Sequence, residues 1–200
     1  MRKLNLGIKR CIDIIGSILG LIILSPLLIV VSVLIKITAP GPIFFRQERL
    51  GYKGNVFKII KFRTMVVNAE YMGSGLKVKD DSDDRITKIG HILRKTSFDE
   101  FPQLFNVLKG DMSLVGPRPP VTYHPYKGYE GYQERAKKRF DMRPGMTGLA
   151  QAKVRNSATW DERIVYDVEY VEKFNVFFDI SILIQTVFTV LNSKNIYANN

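Results

Sequence analysis

The pattern of apolar and polar positions divides the chain into an apolar N-terminal stretch and a longer mixed remainder. From Ile14 to Ile35 about 22 consecutive residues carry no charged side chain. At about 1.5 Å per helical residue, such a stretch is long enough to reach across a hydrocarbon core of about 30 Å. Lys36 follows it without a small-residue cleavage site, which argues against a signal peptide. The pattern therefore predicts a membrane helix that stays on the mature protein.

Ser25 and Pro26 interrupt this stretch near its middle. Proline lacks an N–H and crowds the preceding turn, so the dipeptide predicts a kink or break, and the serine can bond back to the freed carbonyl. Basic residues flank the stretch on both sides: Arg2, Lys3, Lys9 and Arg10 before it, and Lys36, Arg46, Arg49 and Lys53 after it. Because the positive-inside rule then prefers neither side, the balance favours a re-entrant helix with both ends in the cytoplasm. An ordinary kinked spanning helix stays open as the alternative.

Beyond Pro40 the pattern becomes that of a mainly helical α+β domain. Residues 56–65 are rich in β-branched and aromatic side chains, which predicts a strand. The two-residue period of a strand places Lys61 and Arg63 on one face, where two cations suit a phosphate site or form an ordinary solvated face. Residues 68–84 carry glycine, serine and an acidic cluster, which predicts a loop with solvated charges rather than a cation site.

Helices are predicted in the centre of the chain and near its end. Residues 85–95 place isoleucine and leucine at helical spacing. A second helix is predicted to begin near Ser97, because Ser97 and Glu100 fit a capping box. That start places Asp99 and Glu100 in the first helical turn. Residues 176–191 are apolar but too short to span a membrane, which predicts an amphipathic helix on the membrane or on the domain.

The charge of the chain points to an anionic partner. Its 30 Lys and Arg residues against 19 Asp and Glu give a net charge of +11. That excess suits nucleic acid, an anionic membrane surface or a phosphorylated substrate. The single cysteine, Cys11, excludes an internal disulfide, and with only two histidines it cannot supply a Cys/His zinc site. Any bound metal must therefore have oxygen ligands.

Asp99 and Glu100 are adjacent carboxylates among basic residues, which makes them candidates for catalysis on a phosphorylated substrate. Acidic residues are favoured in any first helical turn, so a purely structural role stays open. Three prolines surround Arg118 within residues 116–120, which fixes an arginine for bidentate phosphate binding. Arg143 precedes Pro144 and Gly145 and forms a second arginine-proline turn of the same kind.

Three segments together resemble the bacterial sugar transferases: KFRTM at 61–65, RKTSFDEFPQLFNVLKGDMSLVGPRP at 94–119 and RPGMTG at 143–148. These are small monotopic phosphoglycosyl transferases that start glycan assembly on a polyprenyl phosphate carrier. The resemblance covers nearly the whole chain and is to the minimal catalytic form. It implies a protein on the cytoplasmic face of the bacterial inner membrane with three parts: a re-entrant membrane helix at 1–38, a cytosolic catalytic domain at 39–175 bearing amphipathic interfacial helices, and a C-terminal amphipathic helix and tail at 176–200.

The resemblance also implies roles for the carboxylates. Asp99 would attack the sugar-bearing phosphorus of a UDP-sugar, release UMP and hold the phospho-sugar until polyprenyl phosphate displaces it. Glu100 would position or deprotonate the acceptor, and both carboxylates would hold Mg2+ against the diphosphate. The implied phosphate-binding cations are Lys61, Arg63, Arg94, Arg118 and Arg143. The implied nucleotide-sugar loop contains Pro119, Gly145, Thr147, Gln151 and Arg155.

Two other functions stay open. Composition permits a membrane-anchored basic protein that binds nucleic acid or another anionic polymer without chemistry, although the carboxylate pair is then unexplained. A nucleotide-sugar hydrolase would use the same aspartate and let water resolve the intermediate. Under the transferase interpretation the expected partners are a UDP-sugar, polyprenyl phosphate and membrane lipid, with no nucleic acid. Downstream glycosyltransferases are compatible further partners.

Overall fold

A long N-terminal helix precedes two small sheets and a set of shorter helices. The computed structural model describes residues 2–73, 75, 83–154 and 158–191. Its helices and strands are, in chain order, α1 Arg2–Thr38, β1 Phe44–Leu50, β2 Val56–Phe62, α2 Lys88–Thr96, α3 Gln103–Lys109, β3 Ser113–Val115, α4 Glu134–Lys137, β4 Gly145–Thr147, α5 Leu149–Lys153, α6 Trp160–Lys173 and α7 Val176–Leu191. Helices make up 58% of the structure, which confirms a mixed and mainly helical fold.

The strands form two separate two-stranded sheets. β1 and β2 pair antiparallel, from Phe44 opposite Phe62 to Leu50 opposite Val56. β3 and β4 pair in parallel, with Ser113 opposite Gly145. The predicted strand is therefore confirmed from its start, although it ends at Phe62 rather than at residue 65. The predicted loop at 68–84 lies partly outside the described residues.

The segment that carries the two candidate carboxylates differs from its prediction. The capping box at Ser97 is wrong, because this residue ends α2 in the left-handed region at φ 59° and its side chain makes no capping hydrogen bond. Residues Phe98–Glu100 form a separate 3-10 turn, and α3 begins only at Gln103. Asp99 and Glu100 therefore lie in a tight turn between two helices, not in the first turn of an α-helix.

α1 is one continuous helix of 37 residues, about 55 Å long at 1.5 Å per residue. The predicted break at Pro26 is not present. Ser25 Oγ donates to the Ile22 carbonyl at 2.8 Å, and this is the carbonyl that the missing Pro26 N–H leaves free. The predicted serine back-bond is therefore confirmed, and it explains how the helix continues through the proline. The re-entrant course stays a prediction.

The N-terminal half of α1 is attached to the domain by buried polar contacts. Lys9 Nζ donates to Asp179 at 2.6 Å and to the Val115 carbonyl at 2.8 Å. The Asp13 carboxylate accepts hydrogen bonds from Ser113 Oγ and from the Leu114 N–H. Because buried charges need partners, these contacts fix this half of the helix against β3 and α7.

The C-terminal half of α1 packs on the same domain through apolar contacts. Val31 and Ile35 are buried in one cluster with Phe62 of β2 and Leu93 of α2. The opposite face exposes a row of large apolar side chains that includes Ile15, Leu19, Ile22, Ile23, Ile29, Val30, Val33 and Ile37. Among the described residues, α1 is the one helix long and apolar enough to cross a membrane.

α7 has an inner face in the core and an exposed apolar face. Ile182 is buried in a cluster with Leu149 of α5 and Tyr170 of α6. The exposed large side chains of α7 are Phe177, Ile180, Ile184, Val187 and Phe188. The helix therefore packs on the domain, while its contact with a membrane surface stays a prediction.

Candidate active site

Glu100 is contacted by basic side chains from two distant parts of the chain. Lys61, near the end of β2, donates through Nζ to Glu100 Oε1 at 2.5 Å. Arg118 Nη2, from the proline-rich segment after β3, lies 3.8 Å from the same oxygen. The turn at 98–100 thus brings the predicted carboxylates together with two of the predicted phosphate-binding cations.

The two neighbouring carboxylates have opposite pKa shifts. Burial raises the pKa of Asp99 to about 6, although the charges of Lys61 and Arg94 oppose this increase. Burial also acts to raise the pKa of Glu100, but Lys61, Arg118 and Arg49 outweigh it and hold this pKa at about 2. Both groups are mainly ionised at pH 7, and Asp99 is the one that gains a proton in mildly acidic solution.

A cavity of about 810 Å³ opens beside this pair. Its polar lining includes the predicted residues Lys61, Arg63, Arg94, Asp99, Glu100, Arg118, Thr147 and Gln151. It also includes residues for which we predicted no role, namely Gln47, Arg49, Glu70 and Arg163. The apolar part of its wall includes Phe44 and Phe45 of β1, Phe62 of β2 and Leu183 of α7. The cavity therefore combines concentrated positive charge with an apolar wall.

Arg49 connects the hairpin to the proline-rich segment. Its Nη1 donates to the Pro119 carbonyl at 3.0 Å, and its Nη2 donates to Gln47 Oε1 at 2.6 Å. Burial and then the nearby charge of Arg118 lower the pKa of Arg49 to about 10. Gln47 in turn donates to Glu70 at 2.7 Å, which extends the chain of contacts to the next segment.

The backbone of Arg118 is held by a buried ion pair. Arg139 Nη2 donates to the Arg118 carbonyl at 2.7 Å and to Asp167 Oδ2 at 2.5 Å. The side chains of Arg139 and Asp167 are each only 1% exposed. Because the prolines on both sides of Arg118 cannot donate backbone hydrogen bonds, this external contact contributes to the fixed geometry of the segment.

Several predicted residues lie in structural contacts. Arg63 is buried and donates to the carbonyls of Ala39 and Pro40, which ties the turn after α1 to β2. Arg143 is exposed, lies outside the cavity lining and donates to the Gly110 carbonyl at 2.9 Å.

Two further members of the predicted nucleotide-sugar loop are buried outside the cavity lining. Pro119 accepts the hydrogen bond from Arg49 described above. Gly145 lies in β4, where an added Cβ would meet the Gly116 nitrogen at 2.1 Å. Arg155 lies outside the described residues. The structure therefore brings together only part of the predicted loop.

The remaining loop residues, Thr147 and Gln151, do line the cavity. Thr147 Oγ1 is hydrogen bonded to Thr186 Oγ1 of α7 at 2.7 Å. The side-chain amide nitrogen and oxygen of Gln151 are buried and have no partner in the described part of the chain. Because a buried amide without partners is unfavourable, Gln151 is available to a polar ligand group.

The donor set is compatible with Mg2+ only if a ligand completes it. The residues that the structure describes contain no group of three or more His, Cys, Asp or Glu side chains that could hold a metal ion. Asp99 and Glu100 supply two carboxylates at one turn. Mg2+ is commonly bound by one or two carboxylates together with substrate phosphates, so the pair fits that mode of binding.

The predicted site omitted Arg49, Arg163, Arg139 and Asp167. A strand pattern for residues 44–50 would have placed Arg49 on a regular face, but no separate motif marks it. The other three depend on α6 and the preceding segment packing against the proline-rich loop, a contact that sequence spacing does not reveal.

Comparison with known proteins identifies the family. The family profile described as bacterial sugar transferase matches residues 4–193, nearly the whole chain. The chain belongs to the bacterial sugar transferase family. The resemblance of the three sequence segments is therefore confirmed.

Similar sugar transferases include proteins of different lengths. Galactosyl transferase CpsE of Streptococcus agalactiae is 43% identical over 193 residues, which cover 92% of this chain and 42% of that protein. The UDP-glucose:undecaprenyl-phosphate glucose-1-phosphate transferase of Caulobacter vibrioides is 39% identical over 194 residues, covering 94% of this chain and 72% of that protein. The protein of the same name from Escherichia coli is 39% identical over 201 residues, covering 96% and 42%. The chain thus spans about two fifths of the length of two of these relatives.

Proposed function

We propose that this sugar transferase is a phosphoglycosyl transferase that moves a sugar-1-phosphate from a UDP-sugar to undecaprenyl phosphate and releases UMP. The observation that carries the proposal is the carboxylate pair with opposite pKa shifts, placed among cations in one cavity. The names of relatives that act on UDP-glucose and undecaprenyl phosphate support the same substrate classes.

In the first step Asp99 acts as the nucleophile. A carboxylate oxygen of Asp99 attacks the sugar-bearing phosphorus, and the bond from this phosphorus to the bridging oxygen breaks. The bridging oxygen keeps the electron pair and leaves on UMP, while the phospho-sugar stays on Asp99 as an acyl phosphate. Lys61, Arg94 and Arg118 supply positive charge where negative charge is redistributed during this displacement.

In the second step the acceptor takes the phospho-sugar from Asp99 and regenerates the free enzyme. A phosphate oxygen of undecaprenyl phosphate attacks the same phosphorus, and the Asp99 carboxylate leaves with the electron pair of the acyl-phosphate bond. Glu100 has a pKa of about 2, which makes it a weak base, so we assign it to positioning rather than to proton removal. Asp99 and Glu100 would hold Mg2+, which when bound neutralises charge on the diphosphate.

The position of α1 supports activity at a membrane surface. Both halves of this helix contact the same domain, through Lys9 and Asp13 near one end and through Val31 and Ile35 near the other. A helix attached in this way keeps its two ends on the side of the membrane where the domain lies. We therefore propose a re-entrant or in-plane course at the cytoplasmic face, where a soluble UDP-sugar and a lipid-linked phosphate can meet.

The test is UMP release by the purified full chain in detergent with Mg2+, from a panel of UDP-sugars, with and without undecaprenyl phosphate. We expect acceptor-dependent UMP and an adduct on Asp99 of the mass of a phospho-sugar. Asp99→Asn should abolish both, while Asp141→Asn, an exposed aspartate outside the cavity, should abolish neither. Equal UMP release without acceptor would favour a hydrolase, and no UMP from any UDP-sugar would contradict the proposal.

A further inference from the structure

Arg163 is a cavity residue for which the sequence predicted no role. It lies one turn into α6, and its side chain lines the cavity beside Asp99 and Glu100. The first turn of α6 is fixed by a capping box between Thr159 and Glu162. The Arg163 guanidinium lies over the Trp160 ring, with Cζ 5.5 Å from the ring centroid. The backbone and the ring together therefore restrict where this guanidinium points.

Apart from the Trp160 ring, the guanidinium of Arg163 makes no hydrogen bond or ion pair in the described ranges 2–73, 75, 83–154 and 158–191. Its Nε is buried without a hydrogen-bond partner. The nearby Asp167 acts on it only through its charge and instead pairs directly with Arg139.

Arg118 and Arg163 line the same cavity. Burial and then the charge of Arg118 lower the pKa of Arg163, while the charge of Asp167 opposes this shift. A guanidinium that makes no direct ion pair, in a cavity that also contains Lys61, Arg94 and Arg118, favours the binding of an anion.

The contacts of the cations indicate which anion this is. Lys61 binds Glu100 directly and Arg118 lies 3.8 Å from the same oxygen, whereas Arg163 lines the cavity without an ion pair to either carboxylate of the described turn. A phosphoryl group placed for attack by Asp99 would lie beside Lys61. The second phosphate of a diphosphate is one bridging oxygen away and would extend toward Arg118 and Arg163. The planar guanidinium fork suits bidentate contact with phosphate oxygens.

We propose that Arg163, together with Arg118, binds the nucleotide phosphate of the donor, the phosphate that leaves as UMP. This inference rests on the proposed function, because it assigns one residue to one part of the proposed donor. Arg163 would hold the leaving group in line with the attacking oxygen of Asp99. It would also stabilise the negative charge that the bridging oxygen gains when its bond to the attacked phosphorus breaks.

The first experiment measures binding of UMP and of uridine to the full chain in detergent by calorimetry. Loss of a charge-assisted contact should weaken UMP binding by about 10- to 100-fold in Arg163→Gln. Uridine has no phosphate, so its affinity should not change. Arg163→Lys keeps the positive charge but loses the planar guanidinium. Its affinity for UMP should therefore lie between those of the wild type and Arg163→Gln. Lys173→Gln removes an exposed cation from the same helix and should leave UMP binding unchanged.

The second experiment measures kcat and KM for acceptor-dependent UMP release. In Arg163→Gln the KM for the UDP-sugar should rise and kcat should fall, while the KM for undecaprenyl phosphate stays constant. A rise confined to the KM for undecaprenyl phosphate would overturn the inference, as would equal loss of UMP and uridine binding. If Arg163→Gln does not fold, UMP binding by Arg163→Lys decides, and wild-type affinity there overturns the inference. Failure of the wild type to release UMP from any UDP-sugar would instead contradict the proposed function.

Discussion

The opposite pKa shifts of the two carboxylates predict how the first half-reaction depends on pH. Asp99 must be ionised to attack phosphorus, and its pKa is about 6. The ionised fraction is therefore about one tenth at pH 5 and about nine tenths at pH 7, so the rate should rise about tenfold between them. Glu100, with a pKa of about 2, stays ionised throughout this range and adds no second transition.

The assay is single-turnover UMP formation in the absence of acceptor, followed from pH 5 to pH 8 by rapid quenching. Omitting undecaprenyl phosphate removes the titration of its phosphate group, and the diphosphate of a UDP-sugar does not titrate in this range. Arg94 opposes the rise in the Asp99 pKa, so Arg94→Gln should move the midpoint to higher pH. Lys95→Gln removes the neighbouring exposed cation, which does not line the cavity, and should leave the midpoint in place.

Two results would refute this reasoning. A rate that is constant from pH 5 to pH 8 would show that Asp99 does not carry a raised pKa or does not act as the nucleophile. A midpoint that does not move in Arg94→Gln would show that the Arg94 charge does not act on the carboxylate. A lower rate with an upward-shifted midpoint is compatible with a second role of Arg94 in phosphate binding.

Other changes test the scaffold and the metal. Asp167→Asn leaves Arg139 buried without its ion-pair partner, so the chain in detergent should lose about 3–5 kcal/mol of stability, measured by unfolding followed through tryptophan fluorescence; wild-type stability would contradict the importance of this pair. Gly145→Ala places a Cβ 2.1 Å from a backbone nitrogen and should prevent folding, whereas Gly7→Ala meets nothing within 4 Å and should fold normally, as judged by yield and thermal unfolding. Excess EDTA should stop UMP release and Mg2+ should restore it; full activity in EDTA would eliminate the proposed metal.

The sequence predicted which side chains meet in the cavity better than it predicted the local backbone around them. The carboxylate pair, Lys61, Arg94 and Arg118 do meet at one cavity, because each lies in or beside a segment with a strong pattern. The helix start at Ser97 was wrong, since a capping box requires only residue types and cannot reveal that the serine is in the left-handed region. Local rules describe what a segment can form, and the packing of neighbouring segments decides among these forms.

The dependence on tertiary packing also explains two cations whose placement the sequence did not predict. Arg63 shares a strand period with Lys61, but the strand ends at residue 62 and the guanidinium turns to the carbonyls of Ala39 and Pro40. Arg163 was overlooked because its position in the cavity depends on how α6 packs beside Arg118. Charge and spacing in sequence therefore indicate that phosphate-binding cations exist, while tertiary contacts determine which cations face the ligand.

These contacts also make α1 part of the scaffold of the candidate site. Asp13 binds the backbone and side chain of β3, the strand that leads directly into the segment carrying Arg118. At the other end of the helix, Ile35 packs against Phe62, the residue that follows Lys61. A displacement of α1 would therefore act on the two segments that carry Lys61 and Arg118, the cations around Glu100. For this reason α1 and the candidate site are expected to form one unit, in which the position of the helix helps to set the positions of Lys61 and Arg118.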